Sequence, residues 1–169
     1  MNYSTIPLNS AHKKGNFTCG KDLLDNYLHT QAKQDVKRKL SACFILADEE
    51  QNVKGYYTLS SSTINRNLLP DEIKSKLPLP YIDLPATLLG RLAVDNAYKG
   101  QGLGRHLLLD ALKRSFDASV NSVGSMAVIV DPLDADAVRF YGNHDFIRLS
   151  ESGKMFLPME TISKLFKDS

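Results

Sequence analysis

The chain lacks any run of about 18 consecutive apolar residues, the length a membrane-spanning helix requires. Its opening stretch, MNYSTIPLNSAHKKGNF, also lacks the apolar block of a secretory signal, so the cytoplasm is the expected compartment and no membrane partner is expected. Cysteine is scarce. Cys19 and Cys43 lie far apart with no CxxC spacing and no neighbouring histidine, which argues against a disulfide framework or a zinc site and leaves two buried or spare thiols. His12, His29, His106 and His144 form no HxxxH pair, so no metal is expected, and surface or capping roles suit them. Ser60, Ser61 and Ser62 lack the G-x-S-x-G frame of a nucleophile elbow. The net charge of +2 is too small to mark a nucleic-acid binder by itself, so any basic face must come from local placement. No repeat and no low-complexity tract occurs. What remains is 169 residues at 43% hydrophobic and 24% charged, the profile of one globular domain over 1–169.

Hydrophobic periodicity supplies the elements. Leu23, Leu24, Tyr27, Leu28, Ala32 and Val36 recur at helical spacing and predict a helix over 21–37. ACFILA at 42–47 and VKGYYTLSS at 53–61, separated by a polar DEEQN turn, predict an antiparallel pair of strands. PDEIKSKL at 70–77 has the Pro-acid start of a short helix, and the three prolines of PLPYIDLP at 78–85 predict an extended surface crossing. A buried strand is expected at 86–95, an amphipathic helix from Leu103 to about Phe116, a strand at 125–130 and a helix at 134–143. Two further strands in DFIRL and KMFLPM and a helix at 160–167 complete the reading. Helices alternate with strands in the second half while a hairpin fills the first. The fold class is therefore α/β (α+β) with a mixed sheet.

The sequence YKGQGLGRH joins the 86–95 strand to the following helix. Glycines there permit positive φ and close backbone approach, and a helix start offers unpaired N–H groups at the positive end of the macrodipole, so a diphosphate is the natural guest. The spacing fails as a P-loop, which needs Gly-Lys-Ser/Thr, and as a dinucleotide fingerprint, which needs Gly or Ala where Arg105 stands. A plain glycine turn is the competing reading.

Lys99, Gly100, Gln101, Gly102, Leu103 and Gly104 resemble the acetyl-CoA signature Gln/Arg-x-x-Gly-x-Gly/Ala of the GNAT N-acetyltransferase superfamily, with Lys99 in place of Gln or Arg. The resemblance implies a GNAT fold: a central, mostly antiparallel twisted sheet flanked by helices. It also implies that acetyl-CoA binds this loop and Arg105, with main-chain groups of Leu92, Ala93 and Val94 meeting the pantetheine arm and acetyl group. ADAVRFYGNHDF at 135–146 resembles the family's later Phe-Tyr helix, with Asp145 where the family places glycine before Phe146. Tyr141 then becomes the implied catalytic acid, a phenol that protonates the thiolate as it leaves. An α-amine acceptor has a pKa of about 7.7 to 8.0, so a useful neutral fraction exists without an enzymic base. As a plain reading, Phe140 and Tyr141 are core aromatics.

A narrower resemblance extends over nearly the whole chain, carried by FTCGKDLLDNYL at 17–28, QAKQD at 31–35, GYYTLS at 55–60, LLGRLAVD at 88–95, GQGLG at 100–104 and FLPM at 156–159. It is similar to the TacT-like toxins of type II toxin-antitoxin pairs. That likeness implies acetylation of the α-amine of aminoacyl-tRNA, silencing by a ribbon-helix-helix antitoxin, and an assembly that admits a homodimer. Lys33, Lys37, Arg38, Lys39 and Arg91 are the candidate tRNA contacts, because phosphate contacts supply most sequence-independent affinity. For the lysine cluster the plain alternative is a solvated helix end. Arg91, inside an apolar strand, is expected to meet a carboxylate or a substrate phosphate. A housekeeping GNAT acting on a small or protein amine, and a non-catalytic acyl-CoA-binding module, are the alternative functions.

Overall fold

A computed structural model describes residues 3–167. Seven strands form one sheet in the order β1-β2-β3-β4-β5-β7-β6, and six α-helices accompany them. The strands are β1 (Ile6–Pro7), β2 (Ala42–Ala47), β3 (Val53–Asn65), β4 (Asp83–Val94), β5 (Ala127–Val130), β6 (Ile147–Arg148) and β7 (Met155–Pro158). The helices are α1 (Asp22–Asn26), α2 (Ala32–Lys37), α3 (Asp71–Lys74), α4 (Leu103–Asn121), α5 (Ala135–Gly142) and α6 (Met159–Leu165). β1 and β3 run antiparallel to β2, and β7 runs antiparallel to β5 and β6, whereas β5 is parallel to β4. The sheet is mixed, as the element order requires. The chain divides into two compact units, one of residues up to 60 with 89–114 and the other of 61–88 with 115 onward.

In the first unit the β2–β3 hairpin pairs Ala42 with Leu59 through to Ala47 with Val53. Its polar turn is closed by Asp48, whose Oδ1 accepts the Glu50 and Asn52 N–H groups at 2.9 Å each. Phe17, Leu28, Cys43, Ile45, Tyr56 and Ala93 form one core cluster. The buried face of α4, with Leu107, Leu108, Ala111 and Leu112, presses onto β3 where Gly55 has no side chain. A Cβ at Gly55 would stand 2.7 Å from Leu107 Cδ1 and 3.0 Å from the Ala93 carbonyl oxygen, so any side chain there would push Leu107 aside and crowd the Ala93 backbone. Asp110, one further turn along α4, accepts hydrogen bonds from Ser4 N–H (2.7 Å), Thr5 Oγ1 (2.5 Å) and the Tyr57 hydroxyl (2.7 Å). Arg114 Nε donates in turn to that hydroxyl at 2.9 Å, and Arg114 Nη2 donates to Thr5 Oγ1 at 3.1 Å.

In the second unit Ile64, Leu84, Ala127, Ile129, Leu149 and Phe156 form a separate cluster. The segment after α3 is held by Arg66, whose guanidinium donates to the carbonyls of Lys74 (3.0 Å), Leu77 (2.9 Å), Pro78 (2.5 Å) and Tyr81 (3.2 Å). A proline-rich stretch has few N–H donors of its own to fold around, so one side chain collects its carbonyls.

Several expectations need correction. The helix over 21–37 is interrupted by a π turn at Tyr27–Gln31 between α1 and α2. β3 extends to Asn65, β4 begins at Asp83 inside the stretch expected to be a crossing, and α4 runs to Asn121, beyond Phe116. β1 lies in a stretch where no strand was expected. Its two residues gain strand geometry only from pairing with Ile45 and Phe44, so no local pattern announces it.

Replacing Arg66 by alanine leaves four carbonyls without their donor, so it should lower unfolding stability by about 2 kcal/mol. Urea denaturation measures the loss, and limited proteolysis should gain a cleavage site between residues 74 and 82.

Candidate active site

The site is built from the end of β4. The parallel ladder with β5 pairs Thr87 with Val128 and Leu88 with Ile129, while β4 itself continues to Val94. Leu92, Ala93 and Val94 therefore lie past the last rung of that ladder. Asp95 then caps a single 3-10 turn, Asn96–Tyr98, its Oδ1 accepting the Ala97 N–H at 2.9 Å. Lys99, Gly100, Gln101 and Gly102 follow, and α4 opens at Leu103.

Gly100 and Gly102 hold φ of +80° and +77°, and nothing lies within 4 Å of the Cβ position at either. Both the left-handed backbone and the open space above it suit close approach of a phosphate to main-chain N–H groups. The first intrahelical bond of α4 runs from His106 N–H to the Gly102 carbonyl, at 3.1 Å. The N–H groups of Leu103, Gly104 and Arg105 precede it and are the unpaired donors of a helix start. Gly102 and Arg105 are exposed.

Lys99 makes a contact within the protein. Its Nζ donates to the Cys19 carbonyl at 2.5 Å, so its charge joins two segments of the first unit. Two more contacts clamp Thr18 to the turn, Thr18 N–H to Asp95 Oδ2 (3.1 Å) and Asn96 N–H to the Thr18 carbonyl (2.8 Å), while Cys19 N–H ties the segment to α1 through Asp25 Oδ1 (2.8 Å). Sequence reasoning missed this clamp. An Asp two residues ahead of Ala97 is a signal for the cap, but nothing local ties it to Thr18. Burial pushes the thiol of Cys19 up to about 11 and that of Cys43 up to about 12, so both stay protonated and neither is a nucleophile at neutral pH.

Arg91 meets neither a carboxylate nor an apolar void. Its guanidinium carbon lies 3.5 Å from the centroid of the Tyr27 ring, and the Tyr27 hydroxyl donates to Asp35 at 2.9 Å. Half-buried, Arg91 is satisfied by the ring face, with the Asp35 charge behind it. Burial and the Asp35 hydrogen bond push the Tyr27 phenol up to about 12. Tyr27 opens the π turn and Asp35 lies in α2 beyond it. Lys33 lies in the first turn of α2, Lys37 is its last residue and Arg38 and Lys39 follow it; all four are exposed. Lys39 adopts φ 63°, the left-handed position after a helix that glycine usually fills.

Tyr141 belongs to the second unit, on α5, which starts at an Asp134 cap accepting the Ala137 N–H at 2.9 Å. It is 7% exposed, with the Phe140 and Phe146 ring centroids each 5.2 Å from its own. Burial alone raises its phenol well above the ordinary tyrosine value. Asp145, in place of glycine, holds φ 70° and its N–H reaches the Gly142 carbonyl at 3.2 Å. Aspartate tolerates that backbone better than most side chains, so the turn after the helix forms without glycine. Among the described residues no group of three His, Cys, Asp or Glu side chains is placed to hold a metal ion.

Strand, glycine turn and helix in this order present open left-handed backbone and the unpaired donors of a helix start on a mixed sheet. The model of the acetyltransferase (GNAT) family matches residues 16–146, and the chain belongs to that family. It is 34% identical over 139 residues to a tRNA-acetylating toxin of Mycobacterium tuberculosis, covering 82% of this chain and 81% of that protein. The structure of AtaT complexed with acetyl-methionyl-tRNAfMet superimposes with a TM-score of 0.88 at 31% identity, over 98% of this chain and 99% of that one. A tyrosine-to-phenylalanine mutant of AtaT, bound to the C-terminus of the antitoxin AtaR and acetyl-CoA, gives 0.82 at 28% identity, over 97% and 98%.

Asp95→Ala removes the acceptor for two N–H groups, Thr18 and Ala97. Stability should fall by about 1 kcal/mol, the usual worth of a cap, and amide exchange at Thr18 and Ala97 should quicken. Hydrogen-exchange mass spectrometry or NMR reads both positions.

Proposed function

We propose that this chain is a cytoplasmic toxin that transfers the acetyl group of acetyl-CoA to the α-amine of aminoacyl-tRNA, as a single catalytic domain over 1–169. The observation that carries the acceptor is the likeness to a tRNA-acetylating toxin over most of both chains. Support for the donor comes from the glycine turn, whose left-handed Gly100 and Gly102 leave open space where a Cβ would stand. A ribbon-helix-helix antitoxin is the partner in this reading, which the AtaR-bound relative supports at the level of an antitoxin, and the assembly admits a homodimer. Among the described residues no helix is long and apolar enough to cross a membrane.

Acetyl-CoA supplies an activated thioester. The N–H groups of Leu103, Gly104 and Arg105, with Gly100, Gln101 and Gly102, hold its pyrophosphate, and the Arg105 side chain adds a cation. Leu92, Ala93 and Val94 offer main-chain partners to the pantetheine arm, and an N–H near Val94 faces the developing oxyanion. Lys99 contributes by fixing the turn to Cys19. The neutral α-amine attacks directly, so positioning is the principal task. Tyr141 gives its proton to the departing thiolate. Its raised pKa keeps the phenol protonated through neutral and mildly alkaline pH, the state a donor needs. Lys33, Lys37, Arg38 and Lys39 meet tRNA phosphates. Arg91 acts mainly by holding Tyr27 and contributes charge to the same region.

Tyr141→Phe keeps the ring packing and removes the proton, so turnover should fall by roughly 10²- to 10⁴-fold with acetyl-CoA affinity intact. In contrast, Gly102→Val should abolish the acetyl-CoA thermal shift. The wild-type rate should climb as the α-amine loses its proton, near pH of about 7.7 to 8.0, with no alkaline fall from Tyr141 up to about pH 10, the ordinary phenol value. Near wild-type turnover in Tyr141→Phe when chemistry limits the rate would make Tyr141 a core aromatic.

The acceptor is tested with labelled acetyl-CoA and a charged tRNA pool. Label should remain on the aminoacyl group after RNA digestion. Neutralising Lys37, Arg38 and Lys39 should weaken tRNA use and lower the log-log salt slope by about one unit for each phosphate no longer neutralised. Label on polyamines or protein lysines with none on charged tRNA would instead assign a housekeeping acetyltransferase.

A further inference from the structure

Thr18 and Cys19 form a joint in which every main-chain polar group is bonded. The Thr18 N–H donates to Asp95 Oδ2 at 3.1 Å, and the Thr18 carbonyl accepts the Asn96 N–H at 2.8 Å. The Cys19 N–H donates to Asp25 Oδ1 at 2.8 Å, and the Cys19 carbonyl accepts Lys99 Nζ at 2.5 Å. A side chain adds to this, Thr18 Oγ1 donating to Asp25 Oδ2 at 3.2 Å. Asp95, Asn96 and Lys99 belong to the turn that leads into the glycine loop, whereas Asp25 belongs to α1. The joint therefore ties that turn to the first helix. Lys99 is the turn residue that holds its buried half, Cys19 being 2% exposed.

Phe17, Cys19, Tyr27 and Tyr56 share one core cluster with Ala93, which lies on the strand end assigned to the acetyl arm. Arg91, two residues earlier on β4, rests on the Tyr27 ring. The segment 17–28 thus packs against β4 at the reacting end, while Lys99 stands at the entrance to the glycine loop. We propose that Lys99 is a positioning residue for acetyl transfer: it acts through the Cys19 carbonyl, setting the segment 17–28 against β4, and not as a ligand of the pyrophosphate. The inference rests on the acetyl-CoA reading of the site and deepens it.

The bond from an ammonium to a carbonyl is charge-assisted, and the carbonyl of a buried residue is costly to leave without its donor. The signature that this loop resembles has Gln or Arg where Lys99 stands. Gln, Arg and Lys share a long side chain ending in N–H donors, but Gln carries no charge. The common property is a donor, which a carbonyl requires and an ionic contact with phosphate does not. Main-chain N–H groups of the glycine loop and of the first turn of α4 already serve the pyrophosphate. Reacting atoms must be held closely in place, so slack between the segment 17–28 and β4 should cost turnover more than cofactor affinity.

The test pairs Lys99→Met, which keeps an unbranched stem and removes the donor, with Lys99→Arg, which restores one. Calorimetry gives the acetyl-CoA Kd at low and high salt, NMR follows amide exchange at Cys19 with and without CoA, and kcat is taken with charged tRNA where chemistry limits the rate. In the wild-type chain CoA should slow exchange at Cys19 by about fivefold or more, because what steadies the turn steadies the joint. Lys99→Met should lose that protection and lower kcat by about tenfold or more, with Kd and its salt dependence within about twofold of wild type. Lys99→Arg should recover most of both. A raised Kd with a flatter salt dependence and unaltered kcat makes Lys99 a phosphate ligand and overturns the proposal. So does Lys99→Met with wild-type exchange and turnover, or a loss that Lys99→Arg does not recover. The wild-type exchange measurement needs neither a folded variant nor an acceptor. Absence of Cys19 protection in the CoA-bound chain therefore overturns the proposal even where charged tRNA is not the substrate. A wild-type chain that binds no acetyl-CoA overturns the donor reading and the proposal with it.

Discussion

Much of the first unit hangs on the Asp110 carboxylate. It is buried, and a buried carboxylate is costly unless its lone pairs are taken. Here three donors take them, from Ser4, Thr5 and Tyr57, and these come from the N-terminal segment and from β3. The Tyr57 and Thr5 hydroxyls each donate to Asp110 and accept from Arg114, so two hydroxyls link an acid and a base that share one helix face. The Arg114 guanidinium is in turn sandwiched near the Tyr3 and Phe44 rings, 3.9 Å from each centroid. This network sets how far α4 sits along β3, with Leu107 over Gly55 as the second point of contact. The first turn of α4 carries the donors of the glycine loop, so the position of those donors depends on a carboxylate about two turns away.

Strain is distributed unevenly around the candidate site. Gly100 and Gly102 take left-handed backbone at little cost, whereas Lys39 and Asp145 take it with side chains. A non-glycine residue held in that region points to something gained elsewhere. At Lys39 the gain is a cation just beyond the end of α2, where glycine would end the helix more comfortably. At Asp145 the backbone must turn sharply so that Phe146 comes back against Tyr141, and the Phe146 N–H closes on the Tyr141 carbonyl at 3.1 Å. The phenol is thus held in an apolar setting that keeps its proton in place.

Legibility in the sequence followed the strength of local pattern. The unit of β4, glycine turn and α4 was readable because an apolar run, paired glycines and a clean amphipathic repeat lie in succession, and each has only one structural use. The β2–β3 hairpin was readable for similar reasons. The far end of α4 was not, because Ser115, Asp117, Ser119 and Asn121 are weak helix formers that helix continuity carries along. Likewise β1 and the start of β4 are strands by partnership alone. At the site, the bond from Lys99 to Cys19 was not legible, because it spans 80 positions and no local pattern marks it. For Arg91 the sequence offered a charge in an apolar strand but no hint that an aromatic face would answer it.

The π turn at Tyr27–Gln31 gives the first helix a hidden insertion. An α-helix advances about 100° per residue, so one extra residue in a turn rotates the two flanking segments against each other by that amount. The face of α1 that lies over the core and the face of α2 that bears Lys33 and Lys37 are therefore indexed to the length of this segment more than to its composition. Evolution can exchange side chains at His29 or Thr30, both exposed, with little structural penalty. Removing a single residue there would restore a regular helix and swing Lys33 and Lys37 to a different side of the molecule, so this short stretch should drift in sequence while holding its length.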